Sequence, residues 1–150
     1  METGDKIPSI ELLNIKNEKS NLSSFIGQKV IIYFYPRDNT SGCTTEACDF
    51  RDHKNIFDES GYTIIGISRD SIGSHLKFIE KHSLNFILLS DPDLIAHKSF
   101  GTWGLKKSYG KETMGVIRST FVFDETGTLV EKYINIKAKG HVEKLINSLH

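Results

Sequence analysis

The sequence predicts an α/β protein, with a mixed central β-sheet flanked by α-helices and a short N-terminal extension. Three observations carry this. KVIIYFY at 29–35 and YTIIGIS at 62–68 are continuous apolar, β-branched and aromatic runs, as in strands buried on both faces. Helical patterns lie between and after these runs. Two further strand patterns flank DETG at 124–127, a hairpin signal.

In chain order, residues 10–15 and the polar segment after them suggest a short strand or hairpin. A brief helical turn at 22–25 ends at Gly27. The strand at 29–35 stops at Pro36. A helix is expected from 40 to about 60, with Gly61 ending it. After the strand at 62–68, residues 71–82 read as a helix with Ile72, Leu76 and Ile79 on one stripe. FILLS at 86–90 is a third strand, and 94–100 a short helix. STFVF at 119–123 and TLVEKYI at 128–134 form the hairpin. A last helix places Val142, Leu145, Ile146 and Leu149 at helical spacing.

Crossover helices between buried strands imply right-handed βαβ units with helices on both sheet faces. The order β-α-β-α-β, hairpin, helix suits a thioredoxin-like core. A chain of 150 residues suggests one domain, spanning 1–150, with no linker or internal repeat. At that size a hydrophobic core suffices without a disulfide or metal staple. GLKKSYGKET at 104–113 resembles a phosphate loop but departs from it: five residues separate the glycines, and Glu112 follows Lys111. A flexible, basic surface loop is expected there.

Lys plus Arg total 19 and so do Asp plus Glu, a balance that points to neither nucleic acid nor a membrane surface. The N-terminus lacks the basic and apolar segments of a secretory signal. No apolar run reaches the ~18 residues of a membrane span. A cytoplasmic, reducing setting is expected, where paired cysteines are more often catalytic or metal-binding than structural.

Both cysteines, Cys43 and Cys48, lie in YPRDNTSGCTTEACDF at 35–50. With Cys43 in the first helical turn, Ala47, Phe50, Lys54 and Phe57 share its face, a mostly apolar one. Cys48 is rotated by about 140° toward Asp52, Asn55 and Glu59, a polar flank. Five helical residues place the two Cα atoms roughly 8–9 Å apart. A disulfide needs about 4.4–6.8 Å. Either no bond forms, or its formation unwinds the helix start. A metal site is disfavoured, because His53 is rotated a further ~140° and cannot converge with the cysteines. A cysteine at a helix start meets the positive dipole end and free N–H groups, which favour the thiolate. Thr40 and Ser41 are candidate N-caps, Gly42 permits close backbone approach, and Pro36 shapes one wall.

Pro36-Arg37-Asp38-Asn39-Thr40-Ser41-Gly42-Cys43 matches the P-x-x-x-T-x-x-C signature of the peroxiredoxins. The surrounding YFYPRDNTSGCTTEACDFRD resembles the bacterioferritin comigratory protein, or peroxiredoxin Q, branch. The resemblance covers nearly the whole chain and extends through WGLKKSYGK to Arg118-Ser119-Thr120-Phe121. Leu105 departs from it, standing where an acidic residue is expected.

The resemblance implies a thiol peroxidase acting on hydrogen peroxide and organic hydroperoxides. Cys43 would attack the peroxide and become a sulfenic acid, and Cys48 would resolve it as an intramolecular disulfide. Thr40 would donate a hydrogen bond to the thiolate or position the peroxide. Arg118 would favour the thiolate and stabilise charge on the parting oxygens. Pro36 would exclude water from the sulfur. The family implies no cofactor or metal, a thioredoxin or glutaredoxin-like reductant, and a monomer.

Glu46 has two readings, an exposed acid near the helix dipole or a partner that orients Arg118. Trp103 with Phe100 would pack in the core or beside the site. The six histidines form no triad. A disulfide oxidoreductase is the competing enzyme, but its usual C-x-x-C is absent. A metal-binding or assembly module is the non-enzymatic alternative, and the spacing argues against it.

Overall fold

The computed structural model describes residues 1–108 and 110–149. Its frame is set by the apolar runs. The strands β3 (Lys29–Phe34) and β4 (Tyr62–Ser68) pair in parallel, and β4 pairs in parallel with β5 (Ile87–Ser90). On the other side of β3 lies β8 (Ser119–Phe123), antiparallel, followed by β9 (Leu129–Ile134). The N-terminal hairpin of β1 (Glu11–Leu13) and β2 (Lys19–Asn21) joins through β5. The strand order is β2-β1-β5-β4-β3-β8-β9, a mixed sheet of thioredoxin-like type.

Each face of the sheet carries its own core, as continuous apolar strands require. One contains Ile32, Phe34, Phe100, Phe121 and Phe123. The other contains Ile31, Tyr33, Tyr35, Phe50, Phe57 and Cys43. Helices α1 (Ser41–Asp52), α2 (Lys54–Glu59) and α5 (His141–Ser148) supply buried residues to the second core, as does α3 (Ile72–His82). The short α4 (Ile95–Phe100) packs into the first.

Three expectations need correction. The helix after Pro36 is not continuous from 40 to 60. It breaks at His53, whose backbone N–H and ring Nδ1 both engage the Asp49 carbonyl, at 3.2 and 2.8 Å, and whose ψ of 10° leaves the helical range. The buried stripe of α3 is centred on His75 and Phe78, whereas Leu76 faces solvent. Residues 104–113 are not a loop. They belong to an antiparallel ribbon of β6 (Trp103–Ser108) and β7 (Lys111–Val116), pinned at its base by half-buried Trp103 opposite buried Val116. Tyr109, part of the stretch expected to be a loop, lies outside the described residues. Among the described residues no helix is long and apolar enough to cross a membrane.

Candidate active site

Cys43 is the third residue of α1, and its side chain is buried on the sheet with Ala47 and Phe50. The first backbone bond of the helix runs from the Thr44 N–H to the Thr40 carbonyl (2.9 Å), so Cys43 lies in the first turn and its N–H comes before the first intrahelical donor. Its own N–H therefore belongs to the electropositive helix start. The approach to this turn is fixed by sequence. Pro36, half-buried, follows the last buried residue of the β3 run, Tyr35. Asn39 then adopts φ 62°, a left-handed turn that Asn tolerates better than most residues.

Sheet register brings Arg118 to the same place. Phe34 pairs with Ser119, so Arg118 lies just beyond the end of β3, where the chain leaves for Pro36. Its Nη2 donates to Cys43 Sγ at 3.3 Å and its Nη1 to Glu46 Oε1 at 2.7 Å. Gly42 is what allows this approach. A Cβ there would lie 3.2 Å from Arg118 Nη2 and 3.8 Å from the Ala138 methyl.

The electrostatics follow from burial. Glu46 is fully buried. Burial pushes its carboxyl up to about 7, although Arg118 pulls the other way. Burial by itself would lower the Arg118 pKa, but Glu46 and Cys43 outweigh it and raise the net value. Tyr33, on the same face, has its phenol pushed well above 10 by burial, then by Glu46 and Cys43. Glu46 Oε2 and the Tyr33 hydroxyl are both buried without a hydrogen-bond partner among the described residues. The ion pair thus holds a guanidinium against the sulfur in surroundings of low polarity, where its charge is weakly screened.

Thr40 is the N-cap of α1, but its side chain makes no capping bond. Its hydroxyl proton goes to the Arg37 carbonyl at 3.0 Å rather than to the thiol. That leaves the oxygen lone pairs free to accept a hydrogen bond. Cys48 is half-buried on the same helix, and both cysteines are free thiols. Trp103 packs with Phe100 in the core that does not contain Cys43, with the Arg69 guanidinium 5.0 Å from its ring centre. Leu105 projects into solvent.

A buried polar network behind the Pro36 loop is absent from any sequence pattern. Asp38 accepts from the Tyr35 hydroxyl (2.7 Å) and the Ser74 hydroxyl (2.8 Å), and pairs with His75 Nδ1 (2.7 Å). His75 Nε2 meets the Leu89 carbonyl at 3.1 Å. The Asp38 N–H donates to Asp70 (2.8 Å), which also takes the Ser68 hydroxyl (2.7 Å). Asp38, Asp70 and His75 offer ligand atoms within 4.8 Å of one another, a spacing compatible with a metal. Asp38 and His75 pair with each other, and Asp70 is held by the Asp38 N–H and the Ser68 hydroxyl, which makes the cluster a latch for residues 36–40. Two more buried histidines have similar partners: His97 pairs with Asp91 (2.6 Å) and His141 with Thr120 (2.8 Å).

A buried thiol at a helix start, held by a guanidinium behind a Pro-led loop, can be compared with known proteins. The AhpC/TSA family model matches residues 3–132. The chain belongs to that family. Peroxiredoxin Bcp of Bacillus subtilis is 46% identical over 149 residues, covering 99% of this chain and 95% of the relative. A putative peroxiredoxin Bcp of Helicobacter pylori is 42% identical over 149 residues, with coverage of 99% and 98%. Among solved structures, the Xanthomonas campestris bacterioferritin comigratory protein, studied for alkyl peroxide reduction, superposes with TM-score 0.90 at 34% identity. It covers 99% of this chain and 97% of that one. A cysteine variant of Xylella fastidiosa peroxiredoxin Q gives TM-score 0.92 at 35% identity, with coverage of 99% and 95%. Family membership makes this chain a peroxiredoxin, an enzyme that reduces a peroxide at the expense of a thiol reductant.

Proposed function

We propose that the peroxidase chemistry runs through Cys43 as nucleophile and Cys48 as resolving thiol. The observation that carries this is the buried Cys43 sulfur at the start of α1, accepting from Arg118 Nη2 at 3.3 Å. The Cys43 thiolate attacks one peroxide oxygen and the O–O bond breaks. The sulfur is oxidised to a sulfenic acid, and the departing oxygen takes a proton to leave as water or an alcohol. Arg118 stabilises the thiolate and then the charge on the parting oxygen. Thr40, its own proton committed to the Arg37 carbonyl, accepts the hydrogen bond of the incoming peroxide O–H. Pro36 and the latched loop keep water off the sulfur.

Cys48 then attacks the sulfenic sulfur, water leaves and an intramolecular disulfide forms. Because one helix carries both cysteines, the start of α1 opens first. A dithiol protein of thioredoxin or glutaredoxin type reduces the disulfide. In this reading the chain works as a single-domain monomer in the cytoplasm. NADPH-coupled turnover with thioredoxin and its reductase tests it. Wild type turns over continuously, Cys48→Ser stalls after its first equivalent of peroxide, and Cys43→Ser consumes none. Peroxide consumption by Cys43→Ser would overturn the assignment.

A further inference from the structure

The chain is neutral overall, yet its lysines are not spread evenly. Two shallow grooves of about 310 and 370 Å³ flank the end of β9. Lys137, Lys139 and Lys144 line the first, together with His141, which burial keeps uncharged by lowering its pKa to about 4. Lys106 and Lys107 line the second. Among the described residues no aspartate or glutamate lines either groove. Acids stand beside both: Glu112 is 3.6 Å from Lys107, and Glu131 accepts from the hydroxyl of Tyr133, which lines the first groove. Exposed Leu105 and Ile134 sit between the charges.

This strip begins at the reactive site. The Ile136 N–H donates to the Arg118 carbonyl at 3.0 Å. Ala138 packs toward Gly42, the residue that lets the Arg118 guanidinium approach Cys43. From there the strip follows α5, which packs along α1, the helix that carries both cysteines. We propose that this lysine strip is the docking surface for an acidic dithiol protein that reduces the Cys43–Cys48 disulfide. The proposal rests on that disulfide forming.

The character of the strip favours a macromolecule over a small anion. Its lysines are on flexible stems in open grooves, so each offers a hydrated point charge rather than a shaped pocket. A lone carboxylate gains little from any one of them. A protein face can engage several at once, with Leu105 and Ile134 as apolar contacts, and such complementarity chiefly raises the encounter rate. Chemistry fixes the rest of the partner. One thiolate of its dithiol attacks the disulfide, forming a mixed disulfide and releasing one cysteine as thiolate. The second partner thiol, as thiolate, breaks the mixed disulfide and frees the other cysteine. Two electrons pass to this chain, both its sulfurs end as thiols after protonation, and the partner leaves as a disulfide.

The test starts from the oxidised protein, its disulfide verified by mass, and follows reduction by stopped-flow fluorescence. The probes are a thioredoxin of net negative charge and, separately, dithiothreitol. In Lys137→Glu/Lys139→Glu/Lys144→Glu the thioredoxin rate constant should fall by about tenfold or more at low salt and lose its salt dependence. Dithiothreitol reduction and oxidation by hydrogen peroxide should not change. Lys77→Glu/Lys81→Glu, outside the strip, should behave as wild type. An unchanged thioredoxin rate and salt dependence would overturn the proposal, and so would an equal loss with dithiothreitol. Slower oxidation by a carboxylate-bearing hydroperoxide with an unchanged thioredoxin rate would overturn it too, assigning the strip to substrate. If no disulfide appears after peroxide, the reading beneath the proposal fails and takes the proposal with it.

Discussion

Glu46→Gln should remove the pH dependence of helix opening at the start of α1. Cys43 and Cys48 meet only if this segment unwinds, and unwinding carries Cys43, Glu46 and Ala47 out of full burial. It also breaks the 2.7 Å Glu46–Arg118 bond. The barrier to opening therefore includes more than helix hydrogen bonds at roughly 1 kcal/mol each. Burial holds the Glu46 carboxyl at about 7 in the closed helix, against an ordinary 4.5 that it regains in the open one. A raised acid pKa stabilises the closed form fully below 4.5, and that stability is lost as pH rises through about 7. At ~1.4 kcal/mol per pH unit the whole effect is about 3 kcal/mol. Opening should thus become easier with rising pH across this window and level off above it. Hydrogen exchange of the amides from Thr44 to Cys48 in the reduced protein, corrected for intrinsic base catalysis, measures this directly. The wild-type opening free energy should fall by about 3 kcal/mol, and that of Glu46→Gln should stay flat. A flat wild-type profile would refute the reasoning.

Three further outcomes are expected. Arg118→Met removes a charge-assisted hydrogen bond worth about 1.5–3 kcal/mol and should slow oxidation of Cys43 by roughly 10- to 100-fold in stopped-flow measurements. An unchanged rate would make Arg118 a bystander. Gly42→Ala should push the guanidinium off the sulfur, slowing oxidation about tenfold. Its melting temperature should hold or rise, since Ala is the better helix former; a fall in melting temperature as large as the rate loss would point to general damage instead. Asp38→Ala leaves His75, Tyr35 and Ser74 without their buried acceptor and should destabilise the protein by about 3–5 kcal/mol in denaturant unfolding. A loss under about 1 kcal/mol would show that the network does not latch the loop.

Most of the sheet was legible because its strands are apolar on both faces: the run at 62–68 is β4 from end to end. Cys43 was legible because Pro36, Thr40 and Gly42 surround it with helix-start signals. What escaped was polar and buried. Glu46 was legible only as one of two readings, an exposed acid or a partner of Arg118; its burial and its 2.7 Å bond to Arg118 decide for the second, and nothing local in the sequence could. Arg118, its cation, is 72 residues away. His75 lost its place on α3 to Leu76 for the same reason, its partner Asp38 being 37 residues distant. The break at His53 depends on one side chain competing for one carbonyl. The β6–β7 ribbon carries glycines and lysines that mark loops elsewhere, and its order comes from the anchored Trp103 and Val116.

The central claim is that Cys43, and not Cys48, meets the peroxide. The chain has two cysteines, so Cys48→Ser leaves one thiol. Reduced Cys48→Ser would be mixed with a single equivalent of hydrogen peroxide and the sulfenic-acid trap dimedone, then analysed by peptide mass spectrometry. The account predicts a dimedone adduct on the peptide carrying Cys43, formed within seconds, and none on the only thiol of Cys43→Ser treated in the same way. An adduct on Cys48 in Cys43→Ser, with Cys43 left as a free thiol in Cys48→Ser, would contradict it.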